Sequence, residues 1–154
     1  MLAAFRIVKA RHADAAFDGE GARRDGGRWN SPGLAVVYAA GSAALAALEI
    51  LAHIGTTTLL PAYVLIGCTF DKKIVLRLDR KRLPRDWRAY PARPELQMLG
   101  DAWLKDGTSA VLEVPNAIIP SESNFLLNPL HADFRLIGVG TPERFEFDLR
   151  LLRG

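Results

Sequence analysis

The sequence predicts an α+β domain built on a mixed, mostly antiparallel sheet. Three observations carry this. The apolar segments run in the order strand, strand, helix, two strands, helix, then several strands, which lacks the regular alternation of a doubly wound fold. The segment Phe145-Glu146-Phe147-Asp148-Leu149 alternates apolar and acidic residues, as a strand with one wet face does. The 154 residues, 49% of them hydrophobic, suit one core, and a chain of this size buries about 68–70% of its unfolded surface. The expected organisation is a single domain over residues 1–154.

The elements follow in order. Residues 4–8 are a short strand candidate. Residues 35–38 are apolar, β-branched and flanked by Pro32-Gly33 and Gly41, the signature of a buried strand. Ser42 offers an N-cap to a helix of strong formers over 43–53, with Gly55 as its stop. This helix is apolar on most sides, so it is expected to be well covered. Strands are predicted over 62–70 and 74–78, joined by the Asp71-Lys72-Lys73 turn. A helix over 94–105 has Pro94 in its first turn and Gly107 beyond its end. Further strands are predicted over 110–114, 117–119, 134–139 and 144–149; no strand is assigned between Pro120 and Pro129, where polar caps on a buried strand and polar loop residues are both open.

Composition excludes several classes. Cys68 is the only cysteine, so a disulfide scaffold and a thiolate zinc site are excluded. No segment approaches 18 uninterrupted apolar residues, and the N-terminus lacks the apolar core of a signal peptide, so no membrane span and a cytoplasmic location are expected. The net charge of +3 hides an uneven distribution, because residues 71–93 hold nine Lys/Arg against three Asp/Glu. That segment admits three readings: solvated loops, a docking surface for an acidic protein, or a nucleic-acid-binding surface.

Three stretches look chemical. In Gly26-Gly27-Arg28-Trp29-Asn30, the glycines permit close backbone approach, Arg28 suits a phosphate or carboxylate, and Trp29 offers a stacking or packing face. An ordinary surface turn anchored by a buried Trp fits the same residues. Glu49 stands inside the apolar helix, either at a wet edge or partly buried, with His53 four residues on. The run from Val114 to Pro129 mixes apolar residues with Asn and Ser, which can orient a ligand or satisfy loop backbone. No phosphate-binding P-loop, dinucleotide fingerprint, zinc-binding His pair or nucleophile elbow is present.

Taken together these stretches resemble a known family. The run Phe17 to Gly33, then Val36-Val37-Tyr38-Ala39, Ala46-Ala47-Leu48-Glu49-Ile50-Leu51, Val114-Pro115 and Leu126-Leu127-Asn128-Pro129-Leu130-His131 are similar to the RES domain, over nearly the whole chain from Arg6 to Phe134. The resemblance implies a fold like that of ADP-ribosyltransferases and the toxin of a type II toxin–antitoxin pair. It implies an enzyme that degrades NAD+ by phosphorolysis or hydrolysis of the nicotinamide–ribose bond, or one that transfers ADP-ribose to a protein. It also implies an Xre-type antitoxin that covers the active site.

Carried onto this sequence, the family's functional positions are Arg28, Tyr38 and Glu49 as catalytic residues, with Arg6, Arg28, Tyr38 and Asn116 binding NAD+. NAD+ is then the substrate and inorganic phosphate a co-substrate, with no metal. The family usually carries Ser after the Val-Pro pair, where this chain has Asn116, so Asn116, Ser121 and Ser123 are the candidates for that role. The alternative of another class, a nucleic-acid-binding module using the 71–93 cations, requires no such site; the family resemblance implies no direct nucleic-acid contact.

Overall fold

The computed structural model describes residues 1–54 and 60–152. Strand β1 (Leu2–Lys9) and strand β3 (Tyr63–Phe70) pair antiparallel along their full length, Leu2 opposite Phe70 through Lys9 opposite Tyr63. On its other side β1 meets strand β2 (Val37–Ala40) at one position only, Phe5 opposite Ala40. Beyond β2 lie β6 (Ser123–Leu127), β5 (Val111–Pro115) and the short edge strand β4 (Val75–Arg77). The β4–β5 pair is parallel and the other strand pairs are antiparallel, so the mixed, mostly antiparallel sheet expected from the sequence is present. Strands β7 (Gly138–Val139) and β8 (Glu143–Phe145) both add to β3.

Successive strand residues point to opposite faces, and the buried clusters sort accordingly. One face carries Ala4, Val37, Ala39, Cys68, Phe125 and Leu127, covered by Phe17 and Phe134 from irregular segments. The other face carries both longer helices. Helix α2 (Ala43–Ile54) buries Leu45 and Ala46 against Ile7, Ala40 and Tyr63. Helix α3 (Pro94–Asp106) sets Leu96 and Trp103 against Trp29, Leu112, Val114 and Leu126. The short helix α1 (Glu20–Asp25) leads into the glycine-rich loop.

The caps behave as their residue types predict. The Leu45 N–H donates to Ser42 Oγ at 3.1 Å, and Gly107 closes α3 at φ 62°. The predicted stop at Gly55 lies outside the described residues.

Five segments depart from the sequence-based reading. Residues 117–119 form no strand, because Asn116 Oδ1 accepts the backbone N–H groups of Ile118 and Ile119, both at 2.8 Å, and so stabilises a turn. Over 134–139 a 3-10 turn capped by His131 replaces most of the strand, and over 144–149 only the first two residues belong to a strand, β8. The stretch after Pro120, open at the level of residues, contains β6, a central strand whose Leu126 and Leu127 are fully buried. Helix α2 is not covered all round, since Ala44, Leu48 and Ala52 follow one another at four-residue spacing on an exposed face.

Cys68 is buried in β3, and burial pushes its thiol up to about 11.

Helix α3 approaches the glycine-rich loop so closely that a methyl group at Gly100 would overlap the carbonyl oxygen of Trp29. Gly100→Ala is therefore expected to destabilise the protein by about 3 kcal/mol or more, because the clash is with backbone. Gly21→Ala, where a Cβ meets nothing within 4 Å, is expected to be neutral or to stabilise by up to about 1 kcal/mol through helix propensity. Urea denaturation midpoints of the two variants check this contrast.

Candidate active site

The register locates the site. Strand β1 and strand β2 share one paired position and then diverge, so the sheet splits between them. A cleft of about 1180 Å3 opens there, and its lining includes Arg6, Arg28, Tyr38, Glu49 and Asn124. Strand alternation puts Tyr38, Ala40 and Asn124 on the face that carries α2. Glu49 projects from α2 toward the same place.

Arg28 is set by the loop that holds it. Asn30 is fully buried, and its carboxamide is completely used: Nδ2 donates to the carbonyls of Ala22, Ser31 and Leu34, and Oδ1 accepts the Tyr38 hydroxyl at 2.5 Å. The same hydroxyl accepts the Trp29 N–H at 3.1 Å. Gly27 has to be glycine, since a Cβ there would lie 2.7 Å from the Tyr38 hydroxyl oxygen. Helix α3 grips the loop with one face. Gln97 donates to the carbonyls of Gly27 and Asn30, Gly100 gives way to Trp29, and Asp101 accepts from both Ser31 N and Ser31 Oγ.

The outcome for each sequence candidate is specific. Trp29 packs in the core, 2% exposed, and so offers no open ring face as a stacking platform. Arg28 donates through Nη1 to the carbonyls of Trp87 and Ala89, at 3.1 and 3.0 Å. Its guanidinium pKa is lowered by burial, with the Glu49 carboxylate opposing that shift, so the two side chains share one electrostatic environment. Tyr38 lines the cleft, while its hydroxyl is committed to Asn30 and Trp29. Burial raises its pKa, so it stays a neutral donor.

Arg6 starts on the opposite face of the sheet, above the Phe17 ring at 5.9 Å, and reaches through the split to donate from Nη1 to the Tyr38 carbonyl. Desolvation lowers its pKa, and its Nε is buried without a partner among the described residues. A buried donor without a partner is uncommon in a folded protein.

Glu49 Oε1 accepts two carboxamide N–H bonds, from Asn116 Nδ2 at 2.6 Å and Asn124 Nδ2 at 2.7 Å. The residue in the family's Ser position is thus in contact with the carboxylate. Asn124 is a residue the sequence reading missed. Its signal was the short apolar run Phe125-Leu126-Leu127 of a strand buried on both faces, and that strand was masked by its Ser-Asn start. The same alternation turns Ser123 to the other face, where it lines a separate depression with Ser121, Arg77 and Arg80. Neither serine lines the cleft. His53 forms no hydrogen bond to Glu49; it stands at the mouth with Tyr90, ring centroids 6.4 Å apart.

Four of the nine cations in the basic segment are engaged by the chain itself. Arg77 pairs with Glu113, Arg80 donates to the Pro120 carbonyl, and Arg88 donates to the carbonyls of Ala117 and Ile118. Arg93 pairs with Asp86 and Glu95. Among the described residues no helix is long and apolar enough to cross a membrane, and no group of three His, Cys, Asp or Glu is placed to hold a metal.

Fold and cleft together define a small α+β protein that presents arginine, carboxylate and carboxamide groups in the split of an antiparallel sheet. The model of the RES domain matches residues 3–148, and the chain belongs to that family. It is 36% identical over 148 residues to the protein named Toxin Res of Yersinia enterocolitica, covering 96% of this chain and 97% of that one. It is 35% identical over 138 residues to the Prs ADP-ribosylating toxin of a Sphingobium species, covering 88% and 86%. A chain in the crystal structure of the Mycobacterium tuberculosis MbcT–MbcA toxin–antitoxin complex shares the fold, with a TM-score of 0.77 and 23% identity over 94% of this chain and 84% of that one.

The committed hydroxyl of Tyr38 makes a stability prediction. Tyr38→Phe leaves the buried Asn30 Oδ1 and the Trp29 N–H without their partner, so a loss of about 1–3 kcal/mol is expected. Thermal and urea unfolding of the variant measure it.

Proposed function

We propose that this chain is the toxin of a toxin–antitoxin pair and that it cleaves the nicotinamide–ribose bond of NAD+. The observation that carries this reading is the convergence of Arg6, Arg28 and Tyr38 on one cleft with a Glu49 carboxylate held by two carboxamides. Cleft size is consistent with it, since about 1180 Å3 lies just above the roughly 300–1,000 Å3 of ordinary small-molecule sites and leaves room for a dinucleotide.

The chemistry follows from the residue types. Departure of neutral nicotinamide leaves positive charge on the ribose, an oxocarbenium-like transition state. The Glu49 carboxylate stabilises that charge and orients a ribose hydroxyl or the attacking oxygen. Arg28 and Arg6 hold the pyrophosphate or an incoming phosphate. The Tyr38 ring contributes a wall, its hydroxyl being occupied. The attacking oxygen of inorganic phosphate forms the new bond to the anomeric carbon as the bond to nicotinamide breaks, giving ADP-ribose-1″-phosphate. Water gives ADP-ribose and a proton.

A second reading has its own support: the Sphingobium relative is named an ADP-ribosylating toxin, and the same cleavage with a protein side chain as acceptor is mono-ADP-ribosylation. The basic segment offers less for the nucleic-acid alternative, because several of its arginines are engaged by carbonyls and carboxylates of the chain. The partner we propose is an antitoxin of the Xre type that covers the cleft; the antitoxin in the complex of the structural neighbour supports a partner of that kind.

The test incubates purified protein with NAD+, with and without phosphate, and follows nicotinamide, ADP-ribose and ADP-ribose-1″-phosphate. Phosphate-dependent release is the expected result, whereas a labelled protein band with little free product favours transfer. Glu49→Gln is expected to keep the fold and lower the rate by about 10²-fold or more. A Glu49→Gln protein that consumes NAD+ at the wild-type rate would overturn the assignment.

A further inference from the structure

We infer that Asn116 and Asn124 form a carboxamide clamp that positions Glu49 for the reaction, with both Nδ2 groups on Oε1 and Oε2 left for substrate. This deepens the function proposed above and rests on it. The orientation of each carboxamide is fixed by the protein and not by choice of assignment. Asn116 Oδ1 accepts the N–H groups of Ile118 and Ile119, both at 2.8 Å. Its Nδ2 must therefore face the other way, toward Glu49 at 2.6 Å and Asn124 Oδ1 at 3.0 Å. Because Asn124 Oδ1 is occupied by that bond, Asn124 Nδ2 is the end that meets Glu49, at 2.7 Å.

The chain of bonds thus begins on rigid backbone and ends on the carboxylate. Both carboxamides are buried, Asn116 at 1% and Asn124 at 9% exposure. Their positions come from the sheet, with Asn124 in β6 opposite Val114 and Asn116 directly after β5. Among the described residues no protein group donates to Glu49 Oε2. A glutamate on a half-exposed helix has several rotamers open to it, and two donors on a single oxygen leave one. Held geometry of this kind matters most at the transition state, where small displacements of a catalytic group are costly.

A second consequence concerns Asn116 itself. A carboxamide nitrogen that donates two hydrogen bonds is neither a nucleophile nor a base. At this position the chain forms no covalent intermediate.

Asn116→Asp and Asn124→Asp separate positioning from turn-making. Each keeps the size of the side chain, and an aspartate at 116 still caps the Ile118 and Ile119 N–H groups, but the neutral donor facing Glu49 becomes a carboxyl group that either repels the carboxylate or shares a proton with it, so that Glu49 no longer stands as a held, fully charged carboxylate. Each variant is expected to lose about 10²-fold in kcat for NAD+ cleavage with KM within about twofold of wild type. The double variant is expected to fall no further than Glu49→Gln. Wild-type kcat in both single variants would overturn the clamp.

A second arm needs no turnover. In 15N-resolved NMR of the full chain, the side-chain NH2 resonances of Asn116 and Asn124 are expected to move on Glu49→Gln, while those of Asn30 stay in place. If the wild type cleaves no NAD+, the functional reading fails and the NMR arm still decides the clamp. Resonances of both asparagines that ignore Glu49→Gln would overturn it.

Discussion

Asn30 has no exposed surface, and a buried carboxamide that lacks partners costs several kcal/mol. Its three donated bonds and one accepted bond join α1, the glycine-rich loop, the approach to β2 and the Tyr38 hydroxyl in β2. Everything that faces the cleft from this side depends on that junction. Trp29 can fill the core beneath α3 because its N–H is met by Tyr38. Arg28, one residue earlier, is carried to the cleft wall and steadied by the carbonyls of Trp87 and Ala89. The loop is therefore both a buried structural turn and the mount of a candidate catalytic arginine, and the two readings open at the level of residues describe the same segment.

The other half of the site is mounted differently. Here the sheet supplies the precision, through strand alternation and through the single β1–β2 pair that lets the sheet open. Two ends of neighbouring strands, β5 and β6, bring Asn116 and Asn124 to a carboxylate on α2. Arg6 crosses the split from the far face, burying a guanidinium at a cost that its contacts with Phe17 and the Tyr38 carbonyl partly offset. A cleft at a break in a sheet can be polar without disturbing the core, because one face keeps a single hydrophobic cluster while the helix face carries two, one at α2 and one at α3.

Legibility varied with the kind of signal. The capped helices at 43–54 and 94–106 were readable because Ser42, Pro94 and Gly107 act within a few residues of where they stand. The errors share one cause, that side-chain capping and burial compete with strand propensity. Ile118 and Ile119 look like strand residues, yet Asn116 draws their N–H groups into a turn. Ser123 and Asn124 look like loop residues, yet the sheet needs a central strand there. The exposed stripe Ala44, Leu48 and Ala52 is apolar in composition and still faces outward, since helix periodicity alone does not say which side finds a partner.

By itself the sequence determined the α+β class, the exclusion of a disulfide scaffold and a thiolate zinc site, and, through its family resemblance, Arg28, Tyr38 and Glu49 as the candidates for the site. These properties rest on composition and on short-range residue patterns. Only the tertiary structure decided that Tyr38 spends its hydroxyl on the loop, that Ser121 and Ser123 lie away from the cleft, and that Asn116 and Asn124 both hold Glu49. Those outcomes depend on strand register and on hydrogen bonds between residues about seventy positions apart, and no local pattern encodes which face of a sheet meets which helix.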